Sequence, residues 1–328
     1  MATLLLTISA ATGASAQTPR PRPAERPLPP RVPPTAVSVF PRETVEKRIQ
    51  TDPRVNLSLC VTEGDVKISG WERNEVRVFV KNGSGVGFKV LQQSRQTQSP
   101  VWINVLGFAP DKTKPGVHNE CLSGDSIEID VPTGATIGIK GRETKTRIES
   151  VRRVDIKNAG GDISVRNISE GVSAATYEGD IIVERSEGPI ALDSATGNII
   201  VFDAAPGQVG DTFKAKSTSG AIMLEKLDYR QIEVYSITGQ VLFNGGLSTG
   251  GIYSFGTTSG AVTLGIPKDS SVMVSAAYGF GSFNSSLPLK TLTENVSSAG
   301  KSVTAQMGEG DSKLNLTTAS GAILIKAQ

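Results

Sequence analysis

Residues 160–201 read GGDISVRNISEGVSAATYEGDIIVERSEGPIALDSATGNIIV, and within them GGDISV (160–165), EGDIIV (178–183) and TGNIIV (196–201) share one pattern. Glycine is followed by a small polar residue and an apolar–x–apolar triplet, at intervals of 18 and 18 residues. Each copy extends into a twelve-residue unit. VDIKNAGGDISV (154–165), VSAATYEGDIIV (172–183) and IALDSATGNIIV (190–201) come first, then FKAKSTSGAIML (213–224), IEVYSITGQVLF (232–243) and YSFGTTSGAVTL (253–264). LNLTTASGAILI (314–325) closes the chain. A degenerate copy, VMVSAAYGFGSF, occupies 272–283, and the 42 residues from its start to that of the last copy leave room for one more weakly marked coil.

Each unit holds two alternating stretches joined at a small-residue corner that ends in glycine. Alternation turns every second side chain inward. The glycine supplies a backbone conformation that a side chain would oppose. A unit of about 20 residues cannot bury its own apolar face, but it can when stacked on a copy of itself. The expected fold is therefore an all-β solenoid, a parallel β-helix of 18–23-residue coils, whose equivalent strands pair in parallel about 4.8 Å apart. A propeller blade would need about 40 residues and four antiparallel strands. No segment sustains helical spacing over three turns. The nearest, ETVEKRIQ (43–50), equally suits a first strand. Upstream, LSLCVTEGDVKISGWERNEVRVFV (57–80) and DSIEIDVPTGATIGI (125–139) carry less regular strands. Residues 40–135 read as an N-terminal β cap and 136–328 as the solenoid repeats, with 40–328 one continuous domain. The copy at 314–325 is expected at the far end, where an open edge must be covered by something the pattern does not name.

The amino terminus, MATLLLTISAATGASAQ, has a short apolar run ending in Ala14-Ser15-Ala16, the small-x-small pattern of signal-peptide cleavage. No Lys or Arg precedes the run. Residues 1–16 read as a signal peptide, which places the mature chain in the periplasm or at the cell surface. No segment approaches the 18 to 20 apolar residues of a spanning helix. Residues 17–39 form a Pro/Arg-rich linker of extended character. Arg20, Arg22, Arg26 and Arg31 against Glu25 give it +3, so of the total of +2 the remainder holds −1. The basicity belongs to the linker, which argues against a nucleic-acid partner.

Two motif sets resemble a bacterial envelope family, the "putative adhesin" domain of unknown function. One is ISGWERNEVRVFV (68–80); the other is the run of TxSGxIxL-like units such as STSGAIML and TTSGAVTL, behind a Val-Pro at 131–132. The likeness spans about 40–328. It implies an exported protein with a right-handed parallel β-helix and transfers no active site.

The chemistry-bearing residues are few. Asp162, Asp180 and Asn198 follow the corner glycine in three successive units and would stack along one edge. Such a ladder suits a cation or a retaining glycosidase, but Asp and Asn beside glycine are also ordinary turn residues. Later units carry Ala221, Gln240, Ala261 and Ala322 there. Thr196, Ser219, Thr238, Ser259 and Ser320, before the glycine, form a second, hydroxyl row. Cys60 and Cys121 form either a disulfide that closes a loop of about 60 residues or a pair of free thiols. Trp71 and Trp102 are able to stack on a sugar ring or to pack at an edge. His118 in KPGVHNEC is the single histidine, too little for a metal site or a triad. No cofactor is expected. The sequence favours a non-catalytic envelope protein presenting its surface to a protein or glycan. The alternatives are a polysaccharide-active β-helix enzyme using Asp162 and Asp180, and a scaffold whose coils assemble end to end.

Overall fold

The computed structural model describes residues 44–108, 121–297 and 300–328. Among the described residues there are strands and turns and no helix. The regular stack is formed by twelve strands: β8 (Arg153–Gly160), β9 (Ile163–Arg166), β10 (Val172–Glu178), β11 (Ile181–Glu187), β12 (Ile190–Thr196), β13 (Ile199–Ala205), β14 (Phe213–Ser219), β15 (Ile222–Leu227), β16 (Gln231–Thr238), β17 (Val241–Asn244), β18 (Ile252–Ser259) and β19 (Val262–Ile266). Even-numbered strands form one parallel column and odd-numbered strands a second.

Like stacks on like. Val154, Val172, Ile190, Phe213, Ile232 and Tyr253 are successive register partners in the first column. Ile163, Ile181, Ile199, Ile222, Val241 and Val262 are the partners in the second. All of them are buried, and each such side chain contributes roughly 1.5–3 kcal/mol when removed from water. At the corner between columns the glycines take positive φ and pass close beneath one another. A Cβ on Gly197 (φ 148°) would lie 2.0 Å from the Gly179 carbonyl oxygen, so no other residue fits.

The N-terminal end uses β1 (Val45–Gln50), β2 (Asn56–Trp71), β3 (Glu75–Lys81), β4 (Gly85–Gln93), β5 (Pro100–Phe108), β6 (Leu122–Pro132) and β7 (Thr136–Glu149). The ETVEKRIQ segment is thus a strand from Val45 onward. Long β7 turns the corner without a break, pairing with β8 and then with β9. On its other side it runs parallel with β2, Leu57 to Ile137 and Ile68 to Ile148. Beyond β2 lie β5 and β6, themselves covered by antiparallel β4 and β3, and β1 closes on β3. Cys60, on the outer side of β2, is joined to Cys121 at the start of β6, with 4.7 Å between their Cα atoms.

The C-terminal end corrects the sequence reading. It consists of β20 (Val272–Tyr278), β21 (Ser282–Ser285), β22 (Lys290–Ser297), β23 (Gly300–Met307), β24 (Ser312–Ser320) and β25 (Ala322–Ala327). The last repeat is not at the far end. β24 lies between β18 and β20, with Leu314 registered to Tyr253 on one side and Val274 on the other. β25 likewise lies between β19 and β21. The degenerate copy is therefore outermost, and its register is two residues later than its sequence suggests. Gly281, not Gly279, sits under the corner glycine Gly321. Among the described residues the interval before the last copy holds no further coil but the antiparallel pair β22–β23, with β23 running antiparallel to β20. The physical reason is the edge. A parallel column ends in unpaired N–H and C=O groups; the fully patterned unit is used inside, and the weaker copy and a polar hairpin cover it.

Candidate functional site

The Asp162, Asp180 and Asn198 ladder does form, and its side chains hold the coils together. The backbone N–H of Asp180 donates to Asp162 Oδ1 at 3.1 Å, and that of Asn198 to Asp180 Oδ1 at 2.7 Å. Asn198 Nδ2 donates to the same Asp180 oxygen at 3.3 Å, and Ala221 N–H donates to Asn198 Oδ1 at 3.0 Å. One oxygen of each side chain is thus committed to the next coil. The other Asp162 oxygen lies 3.8 Å from Lys145 Nζ. Among the described residues no three His, Cys, Asp or Glu side chains are grouped to hold a metal ion. His118 lies outside the described residues.

The hydroxyl row before the glycines is exposed, and Thr196 and Thr238 donate to the preceding coil at Tyr177 O and Thr218 O, both 3.1 Å. A second row, not singled out in the sequence, lies two residues earlier and points inward. Ser194, Ser217, Ser236 and Thr257 each donate to the corner-glycine carbonyl of the preceding coil at 3.0–3.3 Å. Strict alternation from the apolar positions would have placed them inside. Tyr229 is also structural: it is buried, it donates to Gly188 O at 2.7 Å, and burial raises its phenol above the ordinary value.

The two tryptophans differ. Trp71 donates through Nε1 to Glu75 O at 2.8 Å and lies under the Arg73 guanidinium, 5.0 Å from the ring centroid. Trp102, on the outer side of β5, is 44% exposed and its Nε1 reaches Ser58 Oγ at 3.4 Å. Beside it is a groove of about 390 Å³ on the outer face of β5, β2, β7 and β8. Its floor is Ser58 and Gly138, register partners with almost no side chain between taller neighbours. Asn104 stands on one side, Asp155 on the other, and Lys140 and Lys157 at one end. Further along the same column face, a hollow of about 320 Å³ opens at Gly256 against the Tyr235 ring. The Tyr235 hydroxyl is pinned to Thr258 Oγ1 at 2.6 Å. Tyr177, 65% exposed, stands on the strand column between the two hollows.

Residues 124–326 match the family described as Toastrack DUF4097. The chain belongs to this family. Membership in Toastrack DUF4097 agrees with the sequence resemblance, and with an all-β fold dominated by parallel pairing. No curated protein matches the chain. Similar solved structures include a "putative cell adhesion protein" from Clostridium sporogenes, at 12% identity and TM-score 0.24, covering 87% of this chain and 100% of that one. Another is a "putative lipid binding protein" from Parabacteroides distasonis, at 10% identity and TM-score 0.39, covering 86% and 96%. A third is a "putative adhesin" from Bacteroides fragilis, at 12% identity and TM-score 0.32, covering 88% and 98%. At these identities and scores they carry no argument about what this Toastrack chain does.

Proposed function

We propose that this chain is an exported, non-catalytic envelope protein, a right-handed β-solenoid of 18–23-residue coils that offers the outer face of its first strand column to a glycan or protein. The observation that carries the reading is the two hollows on that one face, at Ser58/Gly138 and at Gly256, each beside an exposed aromatic ring. Aromatic rings next to small residues give a partner flat apolar area with polar groups close by. The carboxylates of Asp162 and Asp180, by contrast, are held by backbone N–H groups. The edge strands support a single unit over end-to-end assembly. β1 carries Glu46, Lys47 and Arg48, and β22 is exposed along its whole length with Lys290 and Glu294, features that discourage pairing with another sheet. In this account residues 1–16 are removed on export and 17–39 act as the spacer between the solenoid and its surroundings.

The test is a glycan array and an envelope pull-down with residues 17–328, repeated with Trp102→Ala/Tyr235→Ala. Binding that is lost in the double variant and kept when Ile182→Ser and Ile200→Ser change the other column supports the reading. Binding indifferent to the first face, or hydrolysis of any glycan that is lost in Asp180→Ala, overturns it.

A further inference from the structure

We infer that the groove beside Trp102 is a binding site for an anionic sugar, a pyranose carrying a carboxylate, with the acid group held between Lys140 and Lys157. The inference rests on the glycan form of the reading above and adds the place and the chemistry.

Lys140 on β7 and Lys157 on β8 are register partners on adjacent parallel strands, and both side chains are exposed at the same end of the groove. Neighbouring strands stand about 4.8 Å apart, so the two side chains leave the sheet one strand spacing apart. Like charges directly opposite destabilise a sheet. On the same column Lys214 and Lys216 are answered by Glu233, with Nζ–O distances of 3.2 and 4.0 Å. No ion pair to a described residue answers Lys140 or Lys157. An anion seated between them converts the repulsion into two charge-assisted contacts.

The rest of the lining selects a sugar over a bare anion. A phosphate or sulfate ion has no use for an aromatic ring, yet Trp102, 44% exposed, stands beside the groove, two residues before Asn104 on β5, with its Nε1 3.4 Å from Ser58 Oγ. Between ring and lysines lie Asn104, Ser58 and Asp155, a mixed set of donors and acceptors suited to hydroxyl groups. Gly138 keeps the floor low: where Lys140 stands next on the same strand face, Gly138 projects nothing. A volume of about 390 Å³ holds one to two sugar rings.

The experiment uses residues 17–328 and follows tryptophan fluorescence and calorimetry. The probes are hexuronate oligomers, the same oligomers with their carboxylates reduced to primary alcohols, and phosphatidylglycerol vesicles. The expected result is binding of the acidic oligomers, at least tenfold weaker binding of the reduced ones, and weakening by salt. Trp102→Ala and Lys140→Gln/Lys157→Gln should each lower affinity tenfold or more with an unchanged melting midpoint, and Trp102→Phe should restore most of it. Tyr235→Ala, at the distant hollow, should leave it unchanged. Equal binding of acidic and reduced oligomers, preference for vesicles, or indifference to Trp102 and the lysines overturns the site. If neutral glycans or a protein bind through Tyr235 instead, the platform reading survives and this inference fails. If nothing binds to that column at all, both fail.

Discussion

In the middle of the stack each coil lies on its neighbour in sequence, Val172 on Val154 and Ile190 on Val172, whereas at both ends the neighbour in space is remote along the chain. β2 is sandwiched between β7 and the β5/β6 pair, and β24 between β18 and β20. The two ends follow the same plan: a fully patterned element is drawn one layer inward, and less regular strands, finished by antiparallel pairing, are laid over it. The lesson is that period dictates register only where both neighbours are repeats. At an end, the need to satisfy an edge outweighs sequence order. The ends also differ from each other, since Cys60–Cys121 staples the N-terminal layers and no described disulfide secures the C-terminal ones.

The largest effect should come from the C-terminal unit. Removing residues 309–328 deletes Leu314, Leu316, Ile323 and Ile325, all with 0% exposure, at roughly 1.5–3 kcal/mol each. That sum rivals the stability of a whole domain, typically about 5–15 kcal/mol. Because this unit is internal, the truncated chain should lose cooperative unfolding in denaturant and aggregate. A stack ending at 314–325 would simply become one coil shorter. Next, Cys60→Ser/Cys121→Ser should lower stability by about 4 kcal/mol in the chain-entropy model for a separation of 61 residues. Hydrogen exchange should place the loss in β2, β5 and β6 and leave β14 to β19 protected.

In the regular middle, Gly197→Ala should cost about 3 kcal/mol or more by denaturant midpoint, since a side chain there opposes both the φ of 148° and the Gly179 carbonyl at 2.0 Å. Gly210→Ala, also at positive φ but with nothing within 4 Å, should cost only about 1 kcal/mol. The smallest effect belongs to the ladder. Asp180→Ala strands the half-buried Asn198 N–H and should cost about 1 kcal/mol, while Asp180→Asn, which keeps an acceptor oxygen, should be close to neutral.

The middle was legible because alternation and glycine corners repeat in every unit, so Ile181, Ile199 and Ile222 could be aligned without coordinates. The ends were not. LNLTTASGAILI is as well patterned as any internal copy, and nothing in its residues says which coils flank it. VMVSAAYGFGSF offers two glycines, and pattern alone selects Gly279, where packing selects Gly281. The candidate site was legible only in part. Trp102 was visible as a residue able to stack, but so was Trp71, and only the surroundings separate them. Lys140 and Lys157 lie in strands whose mutual register fixes their meeting, and no sequence motif announces it.

The order of coils at the C-terminal end can be read directly by cross-linking. Ser254 and Asn315 are register partners on the outer face, with Asn315 Nδ2 3.5 Å from Ser254 Oγ. Their Cα atoms lie within the span of a disulfide, whereas Ser254 and Ser275 are separated by the whole of β24. Ser254→Cys/Asn315→Cys should oxidise to an intramolecular bond in the folded protein, and Ser254→Cys/Ser275→Cys should not. The reverse outcome, with 254 bonding to 275 and not to 315, would contradict the inserted last repeat.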